Sequence, residues 1–484
     1  MKKIYILLLG AIMTFGACEN AIDIEQPGRL SADIAFQSVD DLQLGVLGVY
    51  DNFDYTPAIS FNSVFTDQIR IGFDNGGQGI ATEYNFVLNP QSAISTALWT
   101  NYYGALNAST RVIEAAAAIT PEAEEQDDYN NILGQTHALR AWAHFELLTY
   151  FSTDLTDDNA PGTIILNFIP SLADELPRNT TGEVFAVIES DLSQAEALLT
   201  TQSDPTFISL DFVTALRARI AAYRGNYTQA DQFAASLLAN YSLADTDQYS
   251  AMFLDEDNTE IIFKLERAIG DNYDGQGATG SAFAGGWAGA NFAFVNSSVD
   301  GSPYYEMSTS LFNVIDPADV RFAVNIDPTA DFVNNILPIG KYPGSSGQPL
   351  MNDLKVFRAS EMMLIRAEAA ADANDLTGAA NFIDQIRDAR FGSDQTAPTY
   401  ATQAEAFAGI LNERNIELAY EGFRWVDLKR LGARAGLTGI NRDAGDCAVN
   451  GACFLGINDD RLRALPIPLV ELDANSNIQQ NLNY

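Results

Sequence analysis

Between residues 211 and 240 the apolar side chains fall on two helical stripes separated by Gly225-Asn226-Tyr227. Phe212, Leu216, Ile220 and Tyr223 sit at i, i+4, i+8 and i+11, and Ala230, Phe233 and Leu237 begin the second stripe. Ala215, Ala218, Ala222, Ala234 and Ala235 lie between them, small enough for two antiparallel helices to approach closely. A second pair is expected at 358–372 and 377–390, joined by Ala-Asn-Asp-Leu. Long helical patterns also cover 130–151, 183–199 and 403–420. A chain patterned this way must build its core from paired helices, and most of its aromatic stripes are core packing.

The chain has 484 residues, 47% of them hydrophobic and 11% aromatic, enough apolar material for a globular fold. Its length allows about three domains or one large one. The formal charge of −37 argues against polyanionic partners such as nucleic acid or anionic lipid. Two histidines and three cysteines leave little material for His-rich or multi-cysteine metal sites.

Residues 1–17 read as an export signal: Lys2 and Lys3, an apolar run from residue 4 to residue 15, then Gly16-Ala17 before Cys18. The run is too short to span a bilayer. The small residues leading into a cysteine resemble a bacterial lipobox, with Cys18 as the lipidated mature N-terminus, although Phe15 stands where Leu is usual. Removal of the leader takes the formal charge to −39. In an exported chain, Cys447 and Cys453, six apart with Gly451 between them, are expected to form a local disulfide; a zinc site is the weaker alternative.

From 270 to 350 helical periodicity is lost, and eleven of the 35 glycines fall between Gly270 and Gly347 among Asn, Ser and aromatic residues. Large loops on a rigid helical frame are a common place for binding function.

Catalytic signatures are sparse. No nucleophile elbow, phosphate loop or complete EF-hand is present, and His137 and His144, seven apart on one helix, lack the glutamates a di-metal bundle would need. Asp255-Glu256-Asp257 and the Asp271/Asp274 loop could hold a structural calcium ion; no other cofactor is expected. Glu413, Glu417 and Glu421, spaced by four, would share one helix face at a separation a glycosidase could use. With Arg414, Arg424 and Arg430 beside them, an Arg–Glu network fixing the helix to its neighbour is the better reading.

That same segment, Glu413-Arg414 to Glu417-Leu418 to Glu421-Gly422-Phe423-Arg424-Trp425-Val426-Asp427-Leu428-Lys429-Arg430, resembles the signature of the SusD/RagB family. Further matches follow in family order: Phe36 to Tyr50, Trp99 to Asn107, His137 to Leu147, Asp319-Val320-Arg321, Lys341-Tyr342, Arg358 to Ala369, and Leu465 to Asn481. The helix–turn–helix at 211–240 is likewise similar to a tetratricopeptide (TPR) unit. The resemblance implies a mainly α-helical fold with four TPR units as scaffold and large irregular loop-rich insertions. The mature chain, 18–484, would carry a ligand-binding segment at about 270–350 and the family's C-terminal segment at about 355–484. It implies a non-enzymatic, lipid-anchored outer-membrane protein at the cell surface that binds a glycan and delivers it to a SusC-like TonB-dependent transporter. A minority of the family handles peptides or other nutrients. A glycoside hydrolase using Glu413, Glu417 and Glu421 is the alternative from another class.

A sugar site needs an exposed flat aromatic flanked by hydrogen-bonding groups. Trp287, among Gly285, Gly286, Ala288 and Gly289, is expected to stand out as a platform, with Tyr304, Tyr305 and Tyr273 as lesser candidates. Trp99 lies near the aromatic arc of the starch-binding relatives, where Asp67, Arg70 and Asn101 could supply hydrogen bonds. Trp142 and Trp425 lie in family motifs and are expected to be structural. The mature charge favours a neutral ligand such as a β- or α-glucan.

Overall fold

The computed structural model describes residues 35–77, 79–171, 173–200, 204–269, 271, 286–293 and 302–484. The expected signal segment and Cys18 lie outside these residues, as do Tyr273 and Asp274.

Helices α1 (Val39–Asn52), α2 (Thr56–Val64), α3 (Ala93–Ala116), α4 (Gln126–Phe151), α5 (Thr181–Leu198), α6 (Leu210–Tyr223) and α7 (Tyr227–Leu237) occupy the first half of the chain. After α8 (Thr246–Met252) come the short α9 (Thr309–Phe312) and α10 (Val320–Asn325). The chain then forms α11 (Ala359–Asp372), α12 (Leu376–Phe391), α13 (Gln403–Glu417), α14 (Arg424–Leu431) and α15 (Leu469–Ala474). Among the described residues four packed helix pairs make the scaffold: α1 with α3, α4 with α5, α6 with α7, and α11 with α12. This is the expected helical TPR-type arrangement.

Local chemistry sets the boundaries. Gly225, at φ +74°, lets the chain reverse between α6 and α7 in three residues. Ser38 with Asp41 and Thr180 with Glu183 form capping boxes at the starts of α1 and α5, satisfying amide groups that have no helical partner. The core is continuous from Val39 to Ile478. At its centre Trp142 stacks on Phe53 at 3.8 Å and meets Phe212 and Phe263 edge-on at 5.5 and 5.8 Å. Trp142 and Trp425 are both fully buried, as structural tryptophans should be.

Among the described residues three two-stranded antiparallel ladders tie the irregular segments together. β1 (Ile69–Ile71) pairs with β3 (Tyr305–Met307), β2 (Ile261–Leu265) with β4 (Leu354–Arg358), and β5 (Gly439–Asn441) with β6 (Phe454–Gly456). The β1–β3 ladder fastens the Tyr305–Met307 strand to the segment that follows α2.

One helix is shorter than its sequence pattern suggests. The 403–420 stripe ends at Glu417, and the chain then turns through left-handed backbone at Tyr420 (φ +63°) and Gly422 (φ +90°). Glu421 therefore leaves the helix, and the three glutamates do not share one helix face.

Candidate functional site

The Glu413–Glu417–Glu421 cluster is the most heavily charged part of the interior, and its geometry is that of a structural network. Glu413 pairs with Arg321 and Arg387, Glu417 with Arg321, Arg358 and Arg390, and Glu421 with Arg358 and Lys341. Glu260 and Asp319 complete it, so five carboxylates face five cations. Burial alone would raise the Glu417 carboxyl, but Arg390, Arg358 and Arg321 outweigh it and hold the group well below the usual carboxylate range. All three glutamates are buried and every one is salt-bridged, so none can reach a glycosidic oxygen. The countercharges differ from those expected. Arg414 instead binds Asp427 and Glu368, Arg430 binds Glu368 and Asp427, and Arg424 binds Asp67. Sequence neighbours were the natural guess; the observed partners come from α10, α12, β4 and Lys341, which only the fold brings together.

The histidines are also structural. His137 Nδ1 lies 2.8 Å from Asp191, and His144 donates from Nδ1 to the Arg140 carbonyl while Nε2 accepts from Leu166 N–H. Burial lowers the His144 pKa to about 4, so the ring is neutral. At the acidic loop considered for calcium, Asp255 is salt-bridged to Lys355 and accepts from Asn352 and the Asp353 amide, so an ammonium stands where a cation would bind. Asp257 accepts from Thr259 N–H and Asp271 from Ala268 N–H. Among the described residues no group of three His, Cys, Asp or Glu is arranged to hold a metal ion. Cys447 and Cys453 are joined as a disulfide with Cα atoms 5.1 Å apart.

The candidate sugar-binding residues are placed differently from the expectation. Trp287 is only 6% exposed and packs with Ala290 and Met351. The small neighbours that suggested a standing indole instead let the chain close over it: a Cβ on Gly289 would sit 2.7 Å from Leu350 Cβ. Tyr304 is buried, its hydroxyl donating to the Ala290 carbonyl and its ring 5.0 Å from Tyr305, itself buried. Asn101 donates to the Asp54 carbonyl, and Asp67 takes a two-pronged pair from Arg424 at 2.7 and 2.6 Å. Arg70 is spent on Glu306, Thr309 and the Asn335 carbonyl. Each polar group expected to meet a sugar is thus occupied by protein. The structure gathers Asp67, Arg70 and Tyr304 around the β1–β3 ladder, and places Asn101 and Trp287 around Asp54 and Thr56.

Trp99 lies against Tyr103 (4.7 Å) and Phe151 (4.9 Å) at one end of an open cleft of about 710 Å³ along α3. Asn107, Arg111, Asp174 and Asn475 line it, together with Glu471, whose carboxyl is raised by burial against the opposing hydrogen bond from Trp99. At 2% exposure, however, Trp99 offers no ring face to a ligand.

Among the described residues Phe73 is the most exposed aromatic, and sequence reasoning missed it. It is 73% exposed, yet its backbone is firmly held. Its amide donates to Glu306 Oε1 at 2.6 Å, Gly72 N–H to the Tyr304 carbonyl at 2.9 Å, and Asp74 N–H to the Pro303 carbonyl at 3.2 Å. Asn75 Nδ2 adds a bond to the Tyr304 carbonyl. Gly72 is required here, because a Cβ would lie 2.6 Å from the Pro303 carbonyl oxygen. Gly76 and Gly77 then turn the loop through positive φ, with open space beside Gly77. The result is an aromatic ring on a backbone held by hydrogen bonds, with the exposed Asp74 beside it. The signal was available: Gly72-Phe73-Asp74-Asn75-Gly76-Gly77 has the same aromatic-among-small-residues pattern that singled out Trp287.

Comparison with known proteins agrees with this architecture. Residues 334–484 match the model of the SusD family, and residues 23–222 match a SusD-like model described as starch-binding associating with outer membrane. Among curated proteins, the chain is 24% identical to SusD-like protein P38 of Formosa agariphila, over 100% of both chains. Among solved structures, a SusD superfamily protein from Bacteroides thetaiotaomicron superposes with a TM-score of 0.76 at 22% identity, covering 92% of this chain and 99% of that one. A laminarin-binding SusD-like protein superposes with a TM-score of 0.71 at 20% identity, covering 93% and 100%. With SusD-type models matching both ends of a chain that also carries the helix-pair scaffold and the buried Arg–Glu signature, the protein belongs to the SusD/RagB family.

Proposed function

We propose that this protein is a non-catalytic glycan-binding lipoprotein of the outer cell surface, anchored through Cys18, that captures a neutral polysaccharide and passes it to a SusC-like TonB-dependent transporter. The observation that carries the reading is Phe73, a large aromatic left in solvent on a backbone too constrained to fold it away. A sugar ring has an apolar C–H face and a rim of hydroxyls. Phe73 offers the matching apolar face, and the exposed Asp74 carboxylate beside it is a hydrogen-bond acceptor for the rim. Because the loop is already ordered, binding costs little conformational entropy.

Two further lines support the class of ligand. The matching relatives include one named for laminarin and a family model described as starch-binding. A mature charge of −39 disfavours an anionic polymer, which would meet many carboxylates within a Debye length of about 10 Å.

Titration of the mature protein with laminarin and soluble starch, wild type beside Phe73→Ala, tests the proposal. A loss of at least fivefold in affinity with unchanged thermal stability is expected, because a solvent-facing side chain contributes little to the core. Unchanged affinity for a glucan that the wild type binds would remove Phe73 from the site.

A further inference from the structure

The hairpin at 331–336 carries a second exposed aromatic that the proposed site does not use. Phe332 is 57% exposed and the adjacent Val333 94%. The Phe332 ring lies nearly parallel to Phe322 (6.1 Å, 28°) and close to Phe312 (6.0 Å, 30°), and both of these partly buried rings pack against the main core. One side of the Phe332 ring is therefore backed by protein, and its exposed area is on the other.

The hairpin is rigid. Asp331 and Ile336 exchange two backbone hydrogen bonds of 2.9 Å, and the Asp331 carboxylate accepts from the amides of Val333 and Asn334 and from Asn334 Nδ2. Nothing in this geometry permits Phe332 to turn inward, because the inner layer is already filled by Phe312 and Phe322.

The hairpin and the Phe73 loop are fastened to the same buried carboxylate. Glu306 Oε1 accepts from Phe73 N–H, Oε2 accepts from Leu337 N–H at 3.0 Å, and Arg70 neutralises the group at 2.8 Å while also bonding the Asn335 carbonyl. Two exposed aromatic rings are thus carried by loops that share one Arg–Glu pair as a common anchor beside the β1–β3 ladder.

Resting on the reading of Phe73 as a sugar platform, we infer that Phe332 is a second pyranose-stacking platform, engaged by a polymer that also contacts Phe73. The same segment also exposes Thr329 and Asn334. The Glu306–Arg70 pair is the positioning element that keeps the two platforms in register. Two linked contacts multiply affinity for a long ligand while adding nothing for one too short to reach both.

The experiment compares wild type, Phe73→Ala, Phe332→Ala and Phe332→Trp by calorimetric titration, using laminarin and soluble starch as polymers and laminaritriose and maltotriose as short probes. Melting temperatures are recorded alongside to confirm that each variant is folded. Phe332→Ala is expected to weaken polymer binding at least fivefold and trisaccharide binding less than twofold, with Phe332→Trp restoring the polymer affinity. Polymer binding by Phe332→Ala that equals wild type, while Phe73→Ala is impaired, overturns the second platform and leaves the first standing. A wild-type protein that binds no polymer and no trisaccharide overturns the underlying reading and the second platform together. An equal loss for polymer and trisaccharide also overturns it, by placing Phe332 in one undivided site.

Discussion

Replacing Glu417 with Gln separates a structural network from a catalytic one. The side chain has no solvent exposure; Oε1 accepts from Arg358 at 3.0 Å and Arg390 at 2.8 Å, and Oε2 from Arg390 at 3.0 Å and Arg321 at 3.1 Å. Gln preserves the shape but removes the charge and turns an NH₂ toward guanidinium groups. The balance of five cations, four of them buried, and five carboxylates becomes one of five and four. Removing one partner of a buried pair costs about 3–5 kcal/mol, most of it the penalty of an uncompensated charge. With an unfolding entropy of about 2.1 cal/mol/K per residue, a chain of this size loses roughly 1 °C of melting temperature per kcal/mol, so a drop of about 3–5 °C is expected. Because the folded-state pKa of Glu417 is depressed, its contribution is fully present above about pH 4.5 and is lost as pH falls through the folded value. The Gln variant should therefore differ from wild type at pH 7 and converge on it in strong acid. Scanning calorimetry of both proteins at pH 7 and in acid makes the comparison. A variant that melts within 1 °C of wild type at pH 7 would refute the structural account and return the Glu413–Glu417 pair to consideration as a hydrolase site.

Other expectations follow from individual side chains. Glu146, held by the Trp142 indole N–H at 2.8 Å, is raised by burial to about 7, so it withdraws stability as pH rises from about 4.5 to 7. His144, lowered to about 4, adds stability as pH rises through an overlapping range, from about 4 to 6.5, so the two nearly cancel in wild type. Glu146→Gln should gain up to about 3 kcal/mol relative to wild type between pH 4.5 and 7, read by denaturant titration at several pH values; a pH-independent difference contradicts the assignment. Trp287→Ala should cost about 3 kcal/mol in the same denaturation assay, because the indole is buried, and should leave trisaccharide affinity intact; the reverse pattern would restore it as a ligand platform. Cys18→Ala should release the protein from the membrane fraction, and retention after a high-salt wash would place the anchor elsewhere.

The sequence made the scaffold readable and the site only partly so, for a physical reason. Helix pairs such as α6 with α7 and α11 with α12 are encoded by local periodicity and a turn residue, and their observed bounds lie within three residues of the expected ones. Trp287 and Phe73 share one local pattern, yet one is buried and the other exposed. The difference lies in what a distant segment does: residues 350–351 close over Trp287, whereas Glu306 pins the backbone of Phe73 and leaves its ring outside. The same holds for the glutamates. Their charge demanded countercharges, but the identity of those partners depended on α10, α12, β4 and Lys341 meeting in space. Glu421 was misplaced because the left-handed turn at Tyr420 and Gly422 is invisible to a four-residue spacing.

The central claim, capture of a neutral glycan, is tested most directly by titrating the mature wild-type protein with laminarin, soluble starch, alginate and a mixed peptide digest at low ionic strength. Saturable binding to at least one neutral glucan, with no binding to alginate or peptides, is the expected result. Tight binding of alginate or of peptides, with neither glucan bound, would contradict the account.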